Sequence, residues 1–145
     1  MNIKHVIPHK TDKTLTINSA ETVKAAIRLL HTKGVGLLIV VDDQAELFGV
    51  VSERDVIRVL DEKGAEALDM PIADLSTRDV ITCPGEAHPH DVLDKMFEHN
   101  IRHMPVMEGG KITSLVSSRD LIKYVAKHLK PDEQAMLWAK LIQLH

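Results

Sequence analysis

The amino-acid sequence repeats itself once. A pattern of apolar and polar residues recurs after about 65 residues, a period too long and used too few times for a stacked solenoid. The first copy opens on Thr14-Leu15-Thr16-Ile17 and runs through an apolar-periodic stretch from Val23 to Leu30. Gly34-Val35 and the apolar run Leu37 to Val41 follow, then a polar turn at Asp42-Asp43-Gln44, and the copy closes on Leu47 to Ile57. The second opens on Val80-Ile81-Thr82-Cys83, passes through Val92 to Phe97 and Asn100 to Val106, turns at Glu108-Gly109-Gly110, and closes on Ile112 to Ile122. Thr16 aligns with Thr82, Val40 with Val106, and Ser52-x-Arg54-Asp55 with Ser117-x-Arg119-Asp120.

Each copy reads as strand, helix, strand, turn, strand, helix. Val23, Ala26, Ile27 and Leu30 keep the three-to-four spacing of an amphipathic helix. Gly34 and Asn100 tolerate the left-handed conformation that ends helices. Leu37 to Val41 suits a buried strand, and the Asp- and Gly-rich turns join it to the next strand as a hairpin. A three-stranded sheet with helices on one face leaves its other face apolar. The expected fold is therefore α+β, two βαββα repeats packed sheet to sheet with pseudo-twofold symmetry and clefts where they meet. The boundaries follow: an N-terminal segment at residues 1–13, the first repeat at 14–60, a linker at 61–79, the second repeat at 80–127, and a C-terminal helix at 128–145. The linker reads as a helix interrupted at Pro71 and followed by a turn.

Charge and composition exclude several functions. A formal net charge of −3 and 3% aromatic residues argue against nucleic-acid binding, which favours a basic surplus and aromatic platforms for stacking. The sequence has no apolar run of roughly 20 residues and no signal-peptide core, so neither a membrane span nor secretion is expected. A single cysteine, Cys83, fits a reducing cytoplasm and is expected as a small core residue. There is no phosphate-binding loop, Rossmann glycine pattern or nucleophile elbow, so no catalytic residue is assigned and enzyme activity is not expected. His88-Pro89-His90 brings two imidazoles together without metal-ligand spacing, and His99 and His103 fall on different elements, so no metal site is assigned. Trp138 most simply belongs to a core, with a dimer or target contact as the second reading.

The residues Gly34-Val35-Gly36-Leu37-Leu38-Ile39-Val40-Val41-Asp42, Gly49 to Asp55, Ile101 to Val106 and Leu115 to Asp120 resemble a tandem cystathionine-β-synthase (CBS) domain pair, or Bateman module. The resemblance spans about Thr14 to Val125. It implies a regulatory sensor with no required cofactor. Such a sensor binds an adenosine-containing ligand (AMP, ADP, ATP, NAD or S-adenosylmethionine) between the repeats and modulates a protein target, commonly as a homodimer. A structural dimerisation module with vestigial clefts is the alternative.

Carried onto this sequence, the resemblance implies two unequal clefts. Asp55 and Asp120 take the ribose-binding role. The stronger cleft joins Ser52, Arg54 and Asp55 to Ile81, Thr82, Arg102 and His103, the last two a fixed guanidinium cation and an imidazole near its titration range that meet phosphate. The weaker cleft joins Thr16 and Ile17 to Ser117, Arg119 and Asp120; the residues that match Arg102 and His103 are there Gly36 and Leu37, without charge. Ser52 with Asp55, and Ser117 with Asp120, also read as plain helix capping boxes, and Arg102 and His103 as a solvated strand edge. Ser114 stands where the repeat usually has glycine, as at Gly49. Its side chain is expected either to intrude on the weaker cleft or to change the local turn. Leu75-Ser76-Thr77-Arg78, with serine where methionine is usual, bears on linker packing.

Overall fold

A computed structural model describes residues 2–6 and 15–144. The expected repeat start at Thr14, most of the segment 1–13, and His145 lie outside the described residues. The chain divides into two compact units, one within residues 12–80 and one formed by residues 81–145 with the N-terminal residues.

The first unit contains β1 (Thr16–Asn18), α1 (Val23–Lys33), β2 (Leu37–Val41), β3 (Leu47–Ser52) and α2 (Glu53–Lys63). Its sheet has the order β1-β2-β3, with β1 parallel and β3 antiparallel to β2. Thr22 caps α1 by accepting a hydrogen bond from the Ala25 amide, and Gly34 ends it at φ 62°. Val23, Ala26 and Leu30 are buried, as the helical spacing requires, against Leu38, Val40 and Val51 of the sheet. In the β2–β3 turn one Asp42 carboxylate oxygen accepts from the amides of Gln44 and Glu46, each at 2.9 Å.

The second unit repeats this plan with β4 (Cys83–Pro84), α3 (Pro89–His99), β5 (His103–Glu108), β6 (Lys111–Ser117) and α4 (Ser118–His128), in the sheet order β4-β5-β6. The correspondence extends to the irregularities. The register shifts at Val40/Val41 in one sheet and at Val106/Met107 in the other. Val40 faces Gly49 as Val106 faces Ser114, so serine leaves the strand pairing unchanged. Asn100 ends α3 at φ 52° in the role of Gly34.

The unit is completed by α5 (Pro131–Leu144), which buries Leu137, Leu141 and Leu144 against α3 and α4 and turns Met136 and Ile142 outward. Trp138 is half-buried against the same core, its indole N–H donating to Gln134 Oε1 at 3.0 Å. Residues 2–6 also build on this unit: Ile3 is fully buried among Val92, Met104 and Leu137, and its amide donates to the Ala87 carbonyl at 2.8 Å.

The segment after α2 departs from the expected helix and turn. Gly64 adopts φ 64° and ends the α-helix, and the chain continues as 3-10 turns over Gly64–Asp69 and Ile72–Asp74 on either side of Pro71. These turns pack on the first repeat, where the Val23 amide donates to Met70 O at 2.9 Å and the Ile72 amide to Glu21 O at 2.7 Å. Thr77 then forms an antiparallel bridge with Val50, exchanging bonds of 3.0 and 2.9 Å. Beyond it the Arg78 guanidinium lies over the Phe48 ring, 3.6 Å from its centroid, and donates to Phe48 O.

Candidate functional site

The two Ser-x-x-Asp motifs form the same structure. Ser52 is the extended last residue of β3, and its hydroxyl oxygen accepts from the Asp55 amide at 3.3 Å. In return Asp55 Oδ2 accepts from the Ser52 amide at 2.8 Å and the Ser52 hydroxyl at 3.0 Å, and Oδ1 accepts from Arg58 at 3.0 Å. In the second unit Ser117 Oγ accepts from the Asp120 amide at 3.1 Å, and Asp120 Oδ2 accepts from the Ser117 amide at 2.9 Å. The capping reading therefore holds in full in both repeats. It also fixes each carboxylate at the positive end of a helix, and the Asp55 side chain keeps 14% of its surface exposed.

A further backbone bond ties each cap to the strand beside it. The Glu53 amide donates to Gly36 O at 3.0 Å, and the Ser118 amide donates to Arg102 O at 2.9 Å. Gly36 and Arg102 therefore occupy equivalent places, just before the middle strand of each sheet. Leu37 and His103 follow them and pair in register with Ser52 and Ser117. The second unit thus brings an exposed guanidinium and a half-buried imidazole to the strand end beside its own Ser117–Asp120 cap. The first unit has no charge at the matching positions.

The remaining assigned residues are placed as follows. Arg54 and Arg119 are exposed in the first turns of α2 and α4. Ile81 and Thr82 lead into β4; Ile81 packs on the core, and the Thr82 carbonyl accepts from Lys95 at 3.2 Å. Thr16 and Ile17 lie on β1, the latter buried. Thr16, Ile17, Ser52, Arg54 and Asp55 belong to the first unit, and Ile81, Thr82, Arg102, His103, Ser117, Arg119 and Asp120 to the second.

Beside Thr16 and Ile17 the first unit opens a groove of about 610 Å³ whose other wall is α1, presenting Lys24, Ala25, Arg28 and Leu29. Lys24 and Arg28, one helical turn apart, lie on the exposed face of α1, which the apolar periodicity of the sequence does not mark. Cys83 is buried on β4, and burial pushes its thiol pKa up to about 11, so it is a core residue rather than a nucleophile. His88 caps α3 by accepting from the His90 amide at 3.1 Å. Among the described residues no group of three or more His, Cys, Asp or Glu side chains could hold a metal ion, and no helix is long and apolar enough to cross a membrane.

Two βαββα units, each with a capped aspartate where its sheet passes into its last helix, define an α+β tandem-repeat module. The chain belongs to the CBS domain family, whose model matches residues 3–62 and 72–127. An uncharacterized protein of Methanocaldococcus jannaschii is 35% identical over 113 residues, covering 77% of this chain and 39% of that protein. This chain spans 68% of a further relative from Acidianus ambivalens and 30% of another from M. jannaschii. The crystal structure of a conserved protein from Pyrococcus horikoshii superposes with a TM-score of 0.78 at 31% identity, covering 89% of this chain and 95% of that one. A CBS domain pair solved in complex with 5′-methylthioadenosine and S-adenosyl-L-methionine superposes with a TM-score of 0.75 at 22% identity, covering 87% and 96% of the two chains.

Proposed function

We propose that this chain is a non-catalytic regulatory module that binds an adenosine-containing ligand and modulates a protein target. The observation that carries this reading is the duplicated cap. Asp55 and Asp120 are each oriented by the amide of their own N-cap serine, at a helix end that attracts anions and beside a strand end that in the second unit carries Arg102 and His103. A carboxylate held this way can accept both hydroxyl protons of a ribose diol, and the Arg102 guanidinium and His103 imidazole can donate to phosphate. The pair solved with 5′-methylthioadenosine and S-adenosyl-L-methionine shares the fold and holds two adenosine-containing ligands.

In this reading Ser52, Arg54 and Asp55 work with Ile81, Thr82, Arg102 and His103, and the module acts as a cytoplasmic homodimer. A ligand regulates only insofar as it binds one arrangement of the module better than another. The test is competitive titration of the Arg102→Ala/His103→Ala variant with AMP, ATP and adenosine. Affinity for the phosphorylated ligands should fall well below wild type while adenosine is held as before. Equal losses for all three would refute the phosphate role.

A further inference from the structure

The C-terminal helix α5 lies on its unit through Leu137, Leu141 and Leu144, with one ion pair at its edge, Lys140 Nζ to Asp94 Oδ1 at 2.6 Å. One turn before Asp94 on α3 stands His90. Its Nδ1 is buried with no hydrogen-bond partner, and its ring stacks on His88 at 5.0 Å between centroids with 12° between planes. His88 Nδ1 accepts from the His90 amide at 3.1 Å, so the two rings meet at the start of α3. Among the described residues the ionisable groups acting on His90 are Lys140 from α5, His88 at the N-cap of α3, and Asp91 and Asp94 from α3 itself; β5, also packed on α3, presents none to it.

A proton on His90 Nδ1 would create a buried N–H without an acceptor. It would also place a positive charge at the positive end of α3 and beside the Lys140 ammonium. Opening the α3–α5 contact relieves the first and the last of these, by letting water reach the buried Nδ1 of a ring that is otherwise half-exposed and by carrying the Lys140 ammonium away. We propose that α5 is a pH-gated strap, released from α3 when His90 is protonated, which frees Leu137, Leu141 and Leu144 and the outward Met136 and Ile142 as one apolar helix.

Burial, reinforced by Lys140 and His88, holds the His90 pKa below the ordinary 6.5 despite the opposing pull of Asp94 and Asp91. A base with a lowered pKa in the closed state binds more protons once open. The strap is therefore fully held above about pH 6.5 and loses stability as pH falls from there through the lowered value.

The chain's single tryptophan, Trp138, sits on α5 and reports its release. Fluorescence of the full chain titrated from pH 8 to pH 5 should move to longer wavelength with a midpoint below 6.5. Hydrogen exchange of residues 131–144 should accelerate over the same range. His90→Gln, which cannot take the proton, should hold its emission flat, and Lys140→Gln, which removes the neighbouring cation, should move the midpoint to higher pH. If His90→Gln does not fold, the Lys140→Gln shift decides alone. A wild-type transition retained in His90→Gln, an unmoved midpoint in Lys140→Gln, or no transition while the His90 ring resonances titrate would each overturn the proposal.

Discussion

Gly49→Ala should weaken the first unit far more than Ser114→Ala weakens the second. A Cβ at position 49 would sit 2.5 Å from the Thr77 carbonyl oxygen and 3.2 Å from Ser76 Cβ, so the crossing chain must move away. Moving it breaks both Val50–Thr77 backbone bonds and loosens Arg78 from the Phe48 ring. Two backbone hydrogen bonds at about 1 kcal/mol each give a loss of about 2 kcal/mol. For a chain of this length that lowers the melting temperature by about 8 °C. The assay is thermal unfolding followed by circular dichroism, with hydrogen exchange at the Thr77 and Val50 amides, which should lose protection selectively. Ser114→Ala should change the melting temperature little, since Ser114 already carries a Cβ in the same register. Were Gly49→Ala to melt with the wild type and keep those amides protected, the close crossing would be wrong.

Other consequences follow from packing and burial. Ile3→Ala should cost about 2–4 kcal/mol in urea unfolding because its side chain is fully buried in the second unit, whereas Lys4→Ala, whose pairs with Glu86 and Glu108 are at the surface, should melt nearly as wild type. Cys83, with its thiol pKa near 11, should resist alkylation by iodoacetamide at pH 8 in the folded chain and react at once in urea; rapid labelling of the native protein would contradict its burial. Lys24→Ala/Arg28→Ala should weaken ATP more than adenosine if the groove beside Thr16 receives phosphate, as read by titration calorimetry, and should leave the melting temperature nearly unchanged because both side chains are exposed.

Most of the fold is readable in the sequence because its signals are local. Ser52 and Ser117 announce the last helix of each repeat, Gly34 and Asn100 end the first, and the short β-branched run Leu37 to Val41 suits a buried strand. The capped aspartates were equally legible, since one short motif fixes the geometry that serves both capping and ligand contact. What the sequence did not disclose depends on segments far apart in the chain. Gly49 is needed because Thr77 crosses it, a contact about 28 residues away that no local pattern announces. Ile3 joins the core of the more distant repeat, which hydrophobicity alone does not assign. Lys24 and Arg28 line a groove only because β1 and α1 border it together, which no local pattern announces.

The central claim is tested most directly by isothermal titration of the full chain with AMP, ADP, ATP, NAD, S-adenosylmethionine and adenosine at matched salt, with Asp55→Ala as the control. At least one ligand should bind saturably near one per chain. The variant should lose at least about tenfold in affinity while remaining folded, since a charged hydrogen bond contributes about 1.5–3 kcal/mol. No heat with any ligand, together with unchanged melting temperatures, would contradict the account and leave a structural dimerisation module in its place.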